Sequence, residues 1–427
     1  MLEWLLRHAI HPSVNVATGF LNEIAELNKL QWQSRDEMER QILKRLRFIV
    51  AHTYEQFRFF RERLDSVGLR PDDVRTLDDF RRIPTITRSV FSKCLDAEVL
   101  LTRRSGTLTS TGGTGGRPLF FLINHNAGTA GLASELFFES WIGVEAHERK
   151  FSSRPYVRIK DRLFLNELEA TAASIVRDPE AVYRELRSFR PKLVGGNAAL
   201  RILASYMAEN DLEMAERPRG VLAWGIPLLP EQIEVMSKAF CDNIYDAYGS
   251  AELGGIVAQE CEARTGLHVN TELSLVEVLK DGEPCSEGER GRLVVTNLRN
   301  LATPFIRYEQ GDSAVVLDDC ACARHMPLIA HISGKDPSFV QMKGEIRIPR
   351  ATLNAIVSHM EESQYIERFS FQKESPDNLV LTVHPKPGFD PRDAEKMHRK
   401  LTNALGALTE ISVQVLANSS ENDEVRG

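Results

Sequence analysis

Three stretches of this chain combine residue types that do chemistry. "TSTGGTGGRP" (109–118) packs glycines among hydroxyl residues and ends on a basic residue and a proline. Glycines let a backbone wrap closely around phosphates with its N–H groups pointing inward. Ser110, Thr111 and Thr114 add hydroxyl donors, Gly112, Gly113 and Gly116 permit close approach, and Arg117 adds charge. There is no G-x-x-x-x-G-K-[ST] pattern, so this is not a Walker A loop; the alternative reading is a plain surface loop. "YDAYGSAELGG" (245–255) sets a Tyr248-Gly249-Ser250 turn two residues before Glu252. Such an acid can hold magnesium, which favours one or two carboxylates together with substrate phosphate oxygens, although a glutamate at a helix start is common without a metal. "PFIRYEQGDSAVV" (304–316) places Asp312 after a glycine at an expected strand end, where it can accept from a ribose diol or serve as a turn residue.

A fourth set is metal-like. Cys261 and His268 are followed by the C-x-C pair Cys320 and Cys322, and three cysteines with one histidine make a tetrahedral structural zinc set. Spacing alone leaves buried thiols and an unrelated histidine as the alternative, with His325 a less suitable fourth ligand. Cys94, Cys241 and Cys285 are scattered and read as free thiols.

These residues need a scaffold. The 427 residues, 42% hydrophobic and 26% charged, suffice for one large domain plus a small one. A net charge of -7 argues against a nucleic-acid partner. No apolar run reaches the roughly 20 residues of a membrane span, and the charge-interrupted start "MLEWLLRHAIHP" does not read as a signal peptide; a cytoplasmic protein is expected. Residues 20–65 carry helical periodicity, and 77–95 read as two short helices about a proline turn. From "PKLVGG" (191–196) through "GVLAWG" (220–225) to "NIYDAYGSAEL", strand and helix alternate, which implies a largely parallel sheet. Beyond residue 266 the pattern turns antiparallel. The last ninety or so residues read as a small α+β unit, with helices near 350–362 and 391–408 and strands near 366–372, 378–384 and 411–416.

The order of the motifs resembles the adenylate-forming superfamily, and in detail the phenylacetate–CoA ligases and their CapK-like relatives. The match runs from "GLRPDDVRTLDDFRRIPTITRSVF" through "GERGRLVVTNLRNLATPFIRYEQGD" to the end of the chain. The resemblance implies an α/β fold: a large N-terminal ATP- and acyl-binding domain (1–333) with mixed sheets and covering helices, and a small mobile α+β C-terminal domain (334–427). It implies a ligase that activates a carboxylate, taken as aromatic, with ATP and Mg2+, and passes the acyl group to CoA. A carrier-protein thiol or an amine is the alternative acceptor, a non-catalytic nucleotide binder the alternative role, and a homodimer the expected assembly. By the same resemblance Thr111 to Gly116 hold the ATP phosphates, Tyr248 stacks near the adenine or lines the acyl pocket, Glu252 binds magnesium and Asp312 the ribose hydroxyls. Arg307 lies near the nucleotide or steadies the loop, and some relatives carry a similar cysteine–histidine set for structural Zn2+. Phe137, Phe138, Trp141, Trp224, Ala247 and Ile256 are acyl-pocket candidates that fit a plain core equally well.

The chain departs from that pattern at several points. Gly115 replaces a hydroxyl, and Ile226 stands where an acid is expected. The hinge reads Gly334-Lys335-Asp336-Pro337-Ser338, where Lys335 keeps charge without the arginine fork and Pro337 restricts rotation. No lysine follows Lys400, although the resemblance implies one late in the chain that bridges carboxylate and α-phosphate. Lys343, in "QMKGEIRIP", matches the element that approaches the thiol in thioester formation.

Overall fold

The computed structural model describes residues 14–98, 106–111, 119–154, 166–225, 228, 230–333, 339–342, 347–349, 353–354, 356–357, 360–375, 377–405 and 409–416. Helices α1 (Val14–Leu30), α2 (Arg35–Gln56) and α3 (Arg58–Ser66) replace the single helical stretch expected over 20–65. The first break is a capping box: Ser34 Oγ accepts from the Glu37 N–H, and the Glu37 carboxylate accepts from the Ser34 N–H, so a new helix starts there. Thr76 and Asp79 repeat the device at α4 (Leu77–Arg81). The next helix, α5 (Arg88–Glu98), follows an extended segment whose Ile86 bridges Tyr308: Ile86 N–H donates to Arg307 O at 2.8 Å, and Glu309 N–H to Ile86 O at 2.9 Å.

A hairpin of β1 (Thr107–Ser110) and β2 (Phe120–Ile123) comes next, then α6 (His125–Trp141). The centre is a 12-stranded sheet. Its parallel half holds β3 (Lys150–Arg154), β4 (Glu167–Thr171), β5 (Leu193–Gly196), β6 (Gly220–Trp224) and β7 (Ile244–Ser250), in the order β4-β3-β5-β6-β7. Connecting helices α7 (Ala172–Arg177), α8 (Pro179–Phe189), α9 (Ala198–Glu209) and α10 (Pro230–Ala239) cover one face, and α6 covers the other. The order of strands and helices from β5 to β7 is the one the sequence reading expects. Strands β3 and β4 escape it because "KFSSR" and "ELEAT" contain no apolar run; Lys150 is buried as an ion pair, 2.6 Å from Glu139.

The antiparallel half adds β8 (Gly255–Glu260), β9 (Leu267–Val269), β10 (Ser274–Lys280), β11 (Glu283–Pro284), β12 (Arg290–Asn297), β13 (Tyr308–Leu317) and β14 (Leu328–Ser333). A short hairpin, β15 (Phe339–Gln341) with β16 (Arg347–Pro349), precedes a three-stranded sheet of β17 (Ile366–Ser375), β18 (Asn378–Pro385) and β19 (Glu410–Val415). Helix α11 (Pro391–Leu405) covers that sheet through Met397, Leu401 and Leu405, and Val176 of α7 joins the same core. No helix among the described residues is long and apolar enough to cross a membrane.

Helix α6 is seated on the chain just beyond β7 by a glycine contact. A Cβ on Gly131 would stand 2.2 Å from the Gly254 carbonyl oxygen, closer than any real Cβ contact. Gly254 itself has φ +87°, which favours glycine. Gly131→Ala therefore forces helix and turn apart, at a cost of about 1–3 kcal/mol. Thermal unfolding is expected to show a clearly lower midpoint; an unchanged midpoint means the helix re-seats freely.

Candidate functional site

The candidate residues gather where the parallel half of the sheet meets the antiparallel half. Thr111 closes the base of the glycine-rich loop: its N–H donates to Leu119 O at 3.0 Å, and its Oγ1 accepts from Leu119 N–H at 3.2 Å. The same Oγ1 accepts from Arg88 Nη2 at 2.6 Å. In both of these bonds the Thr111 hydroxyl accepts, so its proton is used in neither. Ser110 and Thr111 are both buried. Gly112, Gly113, Thr114 and Gly116, with Arg117, lie outside the described residues, as do Ile226, Lys335 with the rest of the hinge, and Lys343.

Strand β7 ends at Ser250, which caps a short 3-10 turn by accepting from Leu253 N–H at 3.3 Å and from Gln310 Nε2 at 2.9 Å. Gly249 is required at the register shift in the antiparallel pairing of β7 with β8, since a Cβ there would be 2.6 Å from the Gly255 carbonyl oxygen. The turn carries Glu252, which is 6% exposed and so is no solvated helix-start residue. Its Oε1 lies 4.0 Å from Arg88 Nη1, and its carbonyl accepts from Asn297 Nδ2 at 3.0 Å. Burial pushes the Glu252 carboxyl up from its ordinary value, while a backbone hydrogen bond and Arg88 pull it down.

Asp312 corrects a sequence expectation. It sits inside β13 rather than at a strand end. The pairing of β12 with β13 skips from Arg292↔Ser313 to Val294↔Glu309, so the chain bulges through Gln310, Gly311 and Asp312, with Gly311 at φ +89°. A bulge re-aims side chains, and here Asp312 Oδ2 accepts from the Tyr248 hydroxyl at 2.8 Å. Burial first, then Asp312, pushes the Tyr248 phenol well up, so it stays a donor across ordinary pH.

Arg307 has partners of its own. It is 3% exposed, in a left-handed conformation at φ +47°, and its guanidinium forks onto Glu277, with Nε–Oε2 at 3.1 Å and Nη2–Oε1 at 3.2 Å. Its Nη1 donates to the carbonyls of Arg81 and Ile83. Of the two roles expected of it, near the nucleotide or steadying the loop, these bonds fit the second. Among the described residues Arg88 meets both Thr111 and Glu252, and the sequence reading missed it. Nothing in "PTITRSVF" distinguishes it from the other basic residues; only the bridge of Ile86 to β13 brings it here.

Cys261, His268, Cys320 and Cys322 come together as expected, their donor atoms all within 4.8 Å of one another. Sγ of Cys261 and Cys320 are 3.5 Å apart, and Cys322 Sγ lies 3.3 Å from His268 Nε2. Those spacings suit a tetrahedral ion with Zn–S near ~2.3 Å and Zn–N near ~2.0 Å. His268 Nδ1 faces the Met326 carbonyl at 3.4 Å, which leaves Nε2 for the cluster. Burial lowers the His268 pKa to about 4, so the ring is neutral and able to ligate at neutral pH.

No protein-family model matches the chain. It is 24% identical over 392 residues to the phenylacetate–coenzyme A ligase of Escherichia coli (strain K12), covering 84% of this chain and 85% of that protein. It is 22% identical over 326 residues to protein CapK of Staphylococcus aureus, covering 72% and 69%. A solved structure, 2-hydroxyisobutyryl-CoA ligase in complex with 2-HIB-AMP and CoA in the thioesterification state, shares the fold with a TM-score of 0.65 at 19% identity, over 93% of this chain and 91% of that one.

The raised Glu252 carboxyl has a stability consequence. Its folded pKa lies above the unfolded one, so its contribution is full below the ordinary glutamate range and is lost as pH rises through the folded value. Glu252→Gln, which mimics the protonated acid, is expected to raise the melting temperature of the ligand-free protein at pH 8, with the gain shrinking toward pH 4. A variant that is less stable at pH 8 rules out a burial-strained carboxylate.

Proposed function

We propose that this distant homologue of the phenylacetate–coenzyme A ligases and of CapK is an ATP-dependent, AMP-forming ligase that activates a carboxylic acid and transfers the acyl group to CoA. The observation that carries the reading is the convergence of the loop base at Thr111 with Arg88, Glu252 and the Tyr248–Asp312 pair at one end of the sheet. An open α/β sheet binds ligands outside the carboxyl ends of its strands. Thr111 and the loop residues Gly112, Gly113, Thr114 and Gly116 are the phosphate grip, with Ser110 beneath them. Arg88 adds the positive charge that leaving pyrophosphate requires. Asp312 takes the ribose hydroxyls, with Tyr248 holding its second oxygen. Glu252, beside Gly249 and Ser250, is the carboxylate suited to Mg2+, whose chemistry is to neutralise phosphate charge during displacement.

In the first half-reaction a substrate carboxylate oxygen attacks the α-phosphorus and pyrophosphate leaves. The carboxylate is already ionised, so no general base is needed, and the protein contributes alignment and charge. In the second, the CoA sulfur attacks the acyl carbon and AMP leaves. A division into lobes 1–333 and 334–427 is part of this reading, with Lys335 at the hinge and Lys343 serving the thiol step. Cys261, His268, Cys320 and Cys322 form a closed structural zinc site, distant in role from the chemistry. An aromatic acid is the reading drawn from the sequence resemblance.

Acid-dependent pyrophosphate release from ATP and Mg2+, followed by CoA-dependent AMP release, tests the assignment. Glu252→Gln is expected to lower adenylation by more than about tenfold, and Arg88→Gln to raise KM for ATP and lower kcat, with partial rescue by Arg88→Lys. Nucleotide binding without pyrophosphate release from any acid replaces the ligase with a binding protein, and acyl transfer to an amine or a carrier protein but not to CoA replaces the acceptor. Metal analysis of protein purified without chelator is expected to find about one zinc per chain. Cys320→Ser together with Cys322→Ser removes it and lowers the melting temperature; metal-free wild-type protein of unchanged stability rejects the zinc site.

A further inference from the structure

The sheet face toward α6 changes character along the parallel strands. In mid-strand it is apolar: Leu193, Leu222 and Tyr245 pack on Phe137 and Phe138, which are almost wholly buried. Most of the acyl-pocket candidates drawn from the sequence are therefore core. At the carboxyl ends, where a ligand of such a sheet lies, the face is built from Arg154 at the end of β3, Gly195 in β5 and Trp224 at the end of β6.

Trp224 is half-buried there, and its position is doubly determined. Its indole crosses β5 at Gly195: a Cβ on that residue would stand 2.8 Å from Cζ3 and 3.0 Å from Cη2. The ring thus occupies the space that any other β5 side chain would fill. Over the ring lies the Arg154 guanidinium, 5.6 Å from a ring centroid. Arg154 is itself held by Glu135 of α6 and by Glu167 and Glu169 of β4, the last two at 3.4 Å. A guanidinium on an aromatic face is a favourable contact, and it strengthens when removed from water.

We infer that Trp224, seated over Gly195 and pinned by Arg154, is the specificity-determining wall of the acyl end, and that the enzyme takes a compact monocarboxylic acid in preference to aryl or long-chain ones. The inference rests on the ligase reading. One physical argument carries it. A fixed indole at the carboxyl end of β6 takes up the bulk of one large side chain on the face toward α6, and a packed wall relaxes only partially.

The test is acid-dependent pyrophosphate release by the full chain with short linear, short branched, long-chain and aryl monoacids, for wild type, Trp224→Ala, Trp224→Phe and Gly195→Ala. The readout is the ratio of kcat/KM for phenylacetate to that for the best compact acid, which a merely structural role does not move. Wild type is expected to favour a compact acid, and Trp224→Ala to raise the ratio by roughly ten- to a hundredfold, the range that pocket methylenes command. Trp224→Phe should fall between, and Gly195→Ala, which displaces the indole, should also change the ratio. If Trp224→Ala does not fold, the other two variants decide. A wild type that prefers an aryl acid, using the indole as a stacking face, overturns the inference while leaving the ligase reading intact. So does a ratio unchanged in every folded variant. A wild type that releases pyrophosphate with no acid removes both.

Discussion

A carboxylate kept out of water beside one guanidinium is the constraint on which the site depends. Glu252 is buried on a short turn after β7, and Arg88 stands 4.0 Å away. A buried charge is costly unless it is paired or used. Here the Arg88 guanidinium is shared with Thr111, and the carboxyl is pushed up by burial. On the proposed reading, a cation arriving with a polyanion relieves that burial cost, so binding and the fold's own electrostatics act in the same direction.

The surrounding structure holds those groups by contacts that tolerate little change. Gly131 lets α6 approach the Gly254 carbonyl, and Gly249 lets β7 shift register against β8. The bulge at Gln310–Asp312 turns Asp312 toward Tyr248, and the Gln310 amide reaches Ser250. Beneath them the Arg307–Glu277 fork fixes the entry of β13, which through Ile86 also fixes Arg88. Arg307 thus bears on Arg88 through packing.

Much of this was legible in the residue order. The alternation from "PKLVGG" to "NIYDAYGSAEL" indicates the parallel strands, because buried parallel strands read as short apolar runs between helices. The turn into β8 and the cysteine–histidine set follow from local residue types. Strands β3 and β4 are hidden because charged residues stand among their inward positions: Lys150 and Arg154 of β3 pair with Glu139 and Glu135 of α6, and Glu167 and Glu169 of β4 pair with Arg154, a compensation that no window of sequence contains. Asp312 was placed at a strand end because a bulge within a strand looks the same as a turn when only Gly311 and its neighbours are visible.

By itself the sequence determined the chemical types available: a hydroxyl–glycine loop, an acid after Tyr-Gly-Ser, an aspartate after glycine, and three thiols with an imidazole. These are local properties, set by residue identity and spacing along the chain. Only the tertiary structure decided which arginine lies beside them. Arg88 and Arg307 are alike as residues. A backbone bridge of Ile86 to β13 brings Arg88 to Thr111 and Glu252, and Glu277 of β10 takes up the Arg307 guanidinium, because pairing between distant segments, not the residue itself, sets where a long side chain can reach.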